Sequence, residues 1–238
     1  MPFKSLADLG VRFRKSQLSL IAGAPGGGKS ALATNLVTRM KSPTIYFSAD
    51  ADRMTVAKSI VAGLVGCNQE EAERRLNDQD GGTWKTLESE TEHIWWNFDT
   101  LPSLKDVEEE LDGYAYVYGN YPDMLVMDNM MDMAEAGEDI GALTDVQIGL
   151  KAIARRTGCH VLVLAHVTGA YTDGNIPIPR SGMMFKPDKK AELIMTIYLV
   201  EPGIMGIGVV KNRSGPASTT GGFGTHVRWS PELGYFGG

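Results

Sequence analysis

Residues Gly23, Ala24, Pro25, Gly26, Gly27, Gly28, Lys29 and Ser30 form the pattern G-x-x-x-x-G-K-[ST], and Ala31 follows at the head of a helix-forming run. The chemistry explains the spacing. Backbone N–H groups of a glycine-rich turn, aimed by the N-terminus of the next helix, cradle phosphate oxygens. Lys29 reaches the β and γ oxygens, and the Ser30 hydroxyl is placed to ligate Mg²⁺. Glycines alone would mark only a tight turn. The full pattern between an apolar run and a helix points to a nucleoside triphosphate.

Hydrolysis needs further groups. Asp128 closes the apolar run 124–127, where a carboxylate at a strand end beside the loop holds Mg²⁺, usually through water. Asp50 and Asp52 follow the run 44–48 and are candidates for orienting the attacking water. Asp52 is closer to the next helix and suits its N-cap, which leaves Asp50 as the base. His166 ends the run 161–165 on the same sheet edge, as a γ-phosphate sensor or a histidine merely bonded at a strand end. Lys211 and Arg213, with one residue between them, would point the same way in a strand. They could clamp phosphates in this site or in a neighbour's.

Alternating apolar runs and helical patterns must position these groups, the signature of a parallel sheet with crossover helices. Strands are expected at 18–22, 44–48, 94–98, 124–127 and 161–165, and around 225–229. Residues 193–200 and 204–210 flank Pro202-Gly203 as a β-hairpin would. Helices are expected at 31–40, 54–64, 68–77 and 146–157. Another runs from the Ser103 cap through Leu111, with Asp106 near a capping-box position. Residues 168–190 show no clear period and read as a long, mobile loop.

The chain has 238 residues, 43% apolar and 22% charged, enough for one α/β domain with a sizeable core. Residues 1–17 read as a short arm and 18–238 as the domain. No apolar stretch is long enough for a bilayer, and residues 1–9 lack a secretory signature, so a cytoplasmic protein is expected. Cys67 and Cys159 have neither metal nor redox spacing. The net charge of −6 is uneven: residues 1–49 carry +6, 50–145 carry −17, and the remainder is weakly basic. Any nucleic-acid surface must therefore be local.

Together these residues resemble the RecA-fold motor domain of DnaB-type replicative helicases, in order over nearly the whole chain. Phe47-Ser-Ala-Asp50 stands where that family has Phe-Ser-Leu-Glu, whose Glu is the catalytic base. Leu125-Val-Met-Asp128 stands at its magnesium-site strand. Leu150-Lys-Ala-Ile-Ala154 followed by Val161-Leu-Val-Leu-Ala-His166 resembles the helix and strand leading to its sensor glutamine. Val210-Lys-Asn-Arg-Ser-Gly-Pro216 resembles the stretch holding its arginine finger, the most discriminating match.

The resemblance implies an α/β, RecA-like fold: a mainly parallel twisted sheet flanked by helices, with a C-terminal β-hairpin. It implies a Mg²⁺-dependent ATPase that assembles as a homo-oligomeric ring, hexameric in the family, and moves on single-stranded DNA in replication. Arg213, with Lys211, would reach the γ-phosphate held by the adjacent subunit. Two channel loops would correspond to 132–144, which is acidic, and 168–190, where Arg180, Lys186, Lys189 and Lys190 would contact DNA phosphates. Asp50 for Glu and His166 for Gln are departures. About seventeen residues precede the first strand, too few for the family's N-terminal helical domain. A RecA/RadA-like recombinase or recombination mediator, and a non-motor nucleotide-switched regulatory ATPase, are the alternatives.

Overall fold

The computed structural model describes residues 1–137, 140–184 and 190–237. Its centre is a nine-stranded sheet of order β3-β2-β4-β5-β1-β6-β7-β8-β9. The strands are β1 (Leu18–Gly23), β2 (Thr44–Ser48), β3 (Ile94–Asn97), β4 (Met124–Asp128), β5 (His160–His166), β6 (Leu193–Glu201), β7 (Ile204–Asn212), β8 (Gly224–Ser230) and β9 (Tyr235–Gly237). The first six run parallel. The last three return antiparallel through the expected hairpin. β1, β2 and β4 are buried along their whole length, which explains their unbroken apolar runs.

Helices α1 (Lys4–Asp8), α2 (Lys29–Met40), α3 (Arg53–Val65), α4 (Gln69–Asn77), α5 (Gly81–Thr91), α6 (Leu104–Tyr118) and α7 (Ile140–Thr157) complete the chain. Alternate residues of β1 feed two cores. Leu18, Leu20 and Ala22 pack with Val107, Leu111, Val146 and Leu150 of α6 and α7. Ile21 packs with Leu32, Leu36 and Val37 of α2 and with Phe3 and Leu6 of the N-terminal arm. Residues 1–17 therefore carry a helix and three buried anchors, Phe3, Leu6 and Val11.

Several boundaries differ from expectation for local reasons. The Ser103–Asp106 capping box is present, but α6 continues past Leu111 to Tyr118, where Gly119 ends it at φ 77°. Exposed Tyr116 and Val117 give that last turn no apolar period. α7 begins at Ile140 rather than at residue 146. α5 is an addition to the expected helices, because it opens on Gly81-Gly82, poor helix formers. Its start is fixed instead by Asp80, which accepts from the Thr83 N–H. Strand β9, only three residues long, is a second addition.

The described part of the 168–190 stretch is folded rather than featureless. It contains 3₁₀ turns at Gly169–Tyr171 and Arg180–Gly182. Ile178 is fully buried, and the Thr168 N–H donates to the Gly182 carbonyl at 2.9 Å.

Candidate functional site

The parallel strands end together, and the chemistry-bearing residues gather at that edge. Gly23 pairs with His166, and Ser48 pairs with Asp128. The loop leaves β1 at Gly23 and turns into α2 through Gly26 (φ 67°) and Gly28 (φ 85°), conformations that L side chains rarely adopt. Residues 26–31, Asp50, Asp128 and His166 line one cavity of about 340 Å³.

Lys29 is nearly buried, 6% exposed. Its ammonium donates to the carbonyls of Gly23 (3.2 Å) and Ala24 (2.8 Å) and lies 3.3 Å from His166 Nδ1. A lysine can only donate, so Nδ1 accepts and the His166 proton sits on Nε2. Burial lowers the Lys29 pKa to about 8, against the pull of Asp128 and Asp50. Burial also lowers that of His166, assisted by the Lys29 charge.

The Ser30 hydroxyl donates to Asp128 Oδ1 at 3.1 Å. The other oxygen, Oδ2, accepts from the Tyr46 hydroxyl at 2.9 Å. Burial raises the Asp128 pKa to about 6, opposed by those two hydrogen bonds and by Lys29. Tyr46 is not a candidate by sequence. Mid-strand and fully buried, it has the pattern of a core residue, and only its hydroxyl end reveals the role. Two hard oxygen donors beside a phosphate cradle fit a small divalent cation. Among the described residues no three or more His, Cys, Asp or Glu side chains cluster as a metal cage. A cation here would complete its shell with nucleotide oxygens and water.

Asp50 and Asp52 separate in space. Asp52 is the N-cap of α3, with Oδ1 accepting from the Thr55 N–H at 2.8 Å. Asp50 is exposed on the cavity wall. It lies close enough for its charge to act on Lys29, Asp128 and His166.

Lys211 and Arg213 lie at the opposite end of the sheet. Asn212 pairs with Leu193, which pairs with Ser19 near the start of β1. Four residue steps, about 13 Å, separate that level from Gly23. Arg213 is exposed and one residue beyond β7, not within the strand. The option of a clamp in its own active site therefore falls.

Buried groups hold that far end together. Glu192 takes the Leu18 N–H (3.0 Å) on one oxygen and the Lys151 ammonium (2.6 Å) on the other. Its carbonyl accepts from the Arg213 N–H at 2.9 Å, and the Asn212 amide donates to the Gly10 carbonyl at 3.3 Å. Neither Lys151 nor Glu192 is foreseeable, since 41 residues separate them and neither ends a recognisable motif.

Of the four basic residues assigned to DNA, Lys186 and Lys189 lie outside the described residues. Arg180 is half-buried and already engaged within the chain. Lys190 is half-buried ahead of β6. Asp132 faces the catalytic side, and burial raises its pKa. Among the described residues no helix is long and apolar enough to cross a membrane.

Sheet, phosphate cradle and strand-end acid define a phosphate-loop ATPase domain of RecA-like fold. Solved structures agree. One of them, an ATPase domain, superposes with a TM-score of 0.84 over 99% of this chain and 89% of that one, at 15% identity. A DnaB-like replicative helicase, described with its interactions with primase, gives 0.81 over 99% of this chain and 62% of that one, at 16% identity. The fold expected from the resemblance is thus borne out.

The sequence profile of the AAA_25 family, described as an AAA domain, matches residues 3–170, and the chain belongs to that family. It is also 32% identical to the Gene 65 protein of Mycobacterium phage L5 over 225 residues, covering 91% of this chain and 84% of that protein. The Gene 65 protein of Mycobacterium phage D29 is 31% identical over 210 residues, covering 85% and 90%.

Proposed function

We propose that the chain is a Mg²⁺-dependent ATPase that assembles head to tail as a ring, hexameric as in DnaB-type helicases, and translocates on single-stranded DNA during replication. Residues 18–238 form the ATPase domain, and 1–17 an arm packed on it. The observation that carries the reading is the separation of Lys211 and Arg213 from their own phosphate loop. Among the described residues lining the cavity, Lys29 is the one cation. Such a site is completed by the matching face of a neighbour, and a heterologous contact of this kind closes into a ring when its rotation permits.

Each residue then has a task. The loop N–H groups and Lys29 bind and orient the triphosphate, Lys29 exchanging its carbonyl partners for phosphate oxygens. Asp50 orients water in line with the γ-phosphate. Ser30 and Asp128 would hold Mg²⁺, which when bound neutralises charge on the β and γ oxygens. Arg213 of the adjacent copy would stabilise charge on the transferred group, a task suited to a permanently ionised, multi-donor side chain. His166 touches Lys29 and leads towards the stretch 168–190, so exchange of the Lys29 contacts would be passed into that stretch, to which the DNA contacts are assigned.

The test is ATP hydrolysis with and without single-stranded DNA for wild type, Arg213→Ala, Lys29→Ala and a mixture of the two variants. The reading expects DNA-stimulated hydrolysis, lost in each variant and partly restored on mixing. Hydrolysis that ignores DNA would favour the nucleotide-switched regulator. Open filaments instead of closed rings by electron microscopy would favour a recombinase-type assembly.

A further inference from the structure

One large aromatic group at the nucleotide site has no task in hydrolysis. Trp229 lies near the end of β8, where its neighbour Val227 on the same strand face is buried, yet the Trp229 ring is only half-buried. One side stacks on the fully buried Phe236, with centroids 4.2 Å apart and planes 24° from parallel. Its edge approaches the phosphate loop: a Cβ built on Gly28 would lie 3.3 Å from Trp229 Cζ2. The rest of the ring borders the cavity that holds Lys29, Ser30 and Asp128. It also borders a second space of about 730 Å³ that is lined by residues 24–27. A tryptophan serving the core alone would be covered on both faces.

The wall carrying this ring is rigid. The Gln69 side chain donates to the Pro231 carbonyl at 3.0 Å, and the Gln69 N–H donates to the Glu232 carbonyl at 3.1 Å. Asn35 donates to the Gly234 carbonyl at 2.8 Å, and the Trp229 N–H to the Gly203 carbonyl at 2.9 Å. Helices α2 and α4 and the β6–β7 turn thus pin residues 229–234. Thr55, Val56 and Ser59 of α3 line the same cavity, with Ser59 packed against Gly234 of this wall. Ala31, at the head of α2, lines the cavity together with Trp229, so a nucleoside carried by a triphosphate whose α end lay at the α2 N-terminus would continue into this slot.

We infer that Trp229 is the platform on which the nucleobase stacks, making the site selective for purine nucleoside triphosphates. The inference rests on the phosphate-loop reading above. A preformed aromatic face contributes stacking without ordering a loop, and the larger purine ring system covers more of it than a pyrimidine does.

The experiment compares equilibrium binding of ATP, GTP, CTP, UTP and inorganic tripolyphosphate, all with Mg²⁺, to wild type, Trp229→Ala, Trp229→Phe and Lys29→Ala. Trp229→Ala should weaken ATP binding by about tenfold or more, the range of base–aromatic stacking. Its tripolyphosphate affinity should stay within about twofold. Trp229→Phe should recover most of the loss, and wild type should prefer both purines over both pyrimidines. The inference is overturned if Trp229→Ala binds ATP as wild type does. It is equally overturned if that variant loses ATP and tripolyphosphate alike, since Trp229 would then only support Gly28. Failure of the underlying reading looks different: Lys29→Ala would retain both ligands.

Discussion

The two ends of the parallel strands are built on opposite principles. At the end bearing Gly23, Ser48, Asp128 and His166, charged groups sit in surroundings that disfavour their charge: burial lowers the Lys29 pKa to about 8 and raises that of Asp128 to about 6. The lysine donates to the loop carbonyls of Gly23 and Ala24, contacts that the proposed phosphate binding would require it to release. At the other end, Glu192 is saturated by the Lys151 ammonium and the Leu18 N–H. One end keeps its charges for a ligand, whereas the other uses them to fix the chain. Arg213 belongs by position to the fixed end, yet its side chain is exposed as though intended for someone else's ligand.

The largest test of this contrast is Arg213→Ala. If Arg213 completes a neighbour's site, hydrolysis should fall by about a thousandfold, the effect of a trans-acting finger. ATP affinity should change little and the melting temperature hardly at all. A loss of stability without loss of turnover would make Arg213 part of the fixed end after all.

Next in size is the buried pair itself. Lys151→Met leaves Glu192 buried without its cationic partner, and should destabilise the fold by about 3–5 kcal/mol in denaturant unfolding. Adding Glu192→Gln to that variant should recover part of the loss, because the buried carboxyl left without its partner is replaced by a neutral amide. ATP affinity, measured below the unfolding transition, should stay near wild type in both. A large affinity change would mean that the two ends are not independent.

Acid should discriminate the ends through His160 at the start of β5. Its Nδ1 lies 2.9 Å from the Arg14 carbonyl, its ring stacks on Phe13, and Nε2 is buried without a partner. Burial lowers its pKa to about 4, with Glu192 raising and Lys151 lowering it less strongly. The folded state therefore holds the ring neutral, while the unfolded chain takes up a proton near pH 6.5. The stabilisation is complete above that value and is lost as pH falls towards 4, by up to about 3 kcal/mol. His160→Phe should remove this component, so unfolding free energies of variant and wild type should converge or cross on acidification. A constant difference between about pH 7 and pH 4 would refute it.

How much of this is legible in the sequence follows the same division. The ligand end can be read because its residues stand at or just beyond strand ends, and an apolar run ending in a polar residue is visible in one dimension: Asp128 as the last residue of β4, His166 as the last of β5, and the loop leaving β1. Tyr46 cannot be read, since a tyrosine inside an apolar run differs from core only by where its hydroxyl ends. The fixed end is illegible for a different reason. The Lys151–Glu192 pair and the Asn212–Gly10 contact are long-range pairings that no local period encodes. Fold elements behave likewise, with the Ser103 capping box plain in sequence and α5 hidden by a double glycine.

Asp50 and Asp52 give the smallest and sharpest test, because a two-residue step separates a cap from a candidate base. Asp52 is committed locally: both its oxygens accept from Thr55, from the N–H at 2.8 Å and the hydroxyl at 3.2 Å, and these bonds hold its pKa below the usual carboxylate range. Asp52→Ala should lower the melting temperature by about 2–4 °C, the usual loss of a helix cap in a domain of this size. Asp52→Asn should restore most of it, because an amide oxygen caps as well. Neither change should alter hydrolysis more than about twofold. Asp50, on the cavity wall with its charge felt by Lys29, Asp128 and His166, should behave in reverse. Asp50→Asn keeps the size and removes the proton acceptor, so turnover should drop by about a hundredfold or more with the melting temperature unchanged. If the two profiles were exchanged, the water-orienting role would pass to Asp52 and the cavity wall would have to rearrange on binding nucleotide.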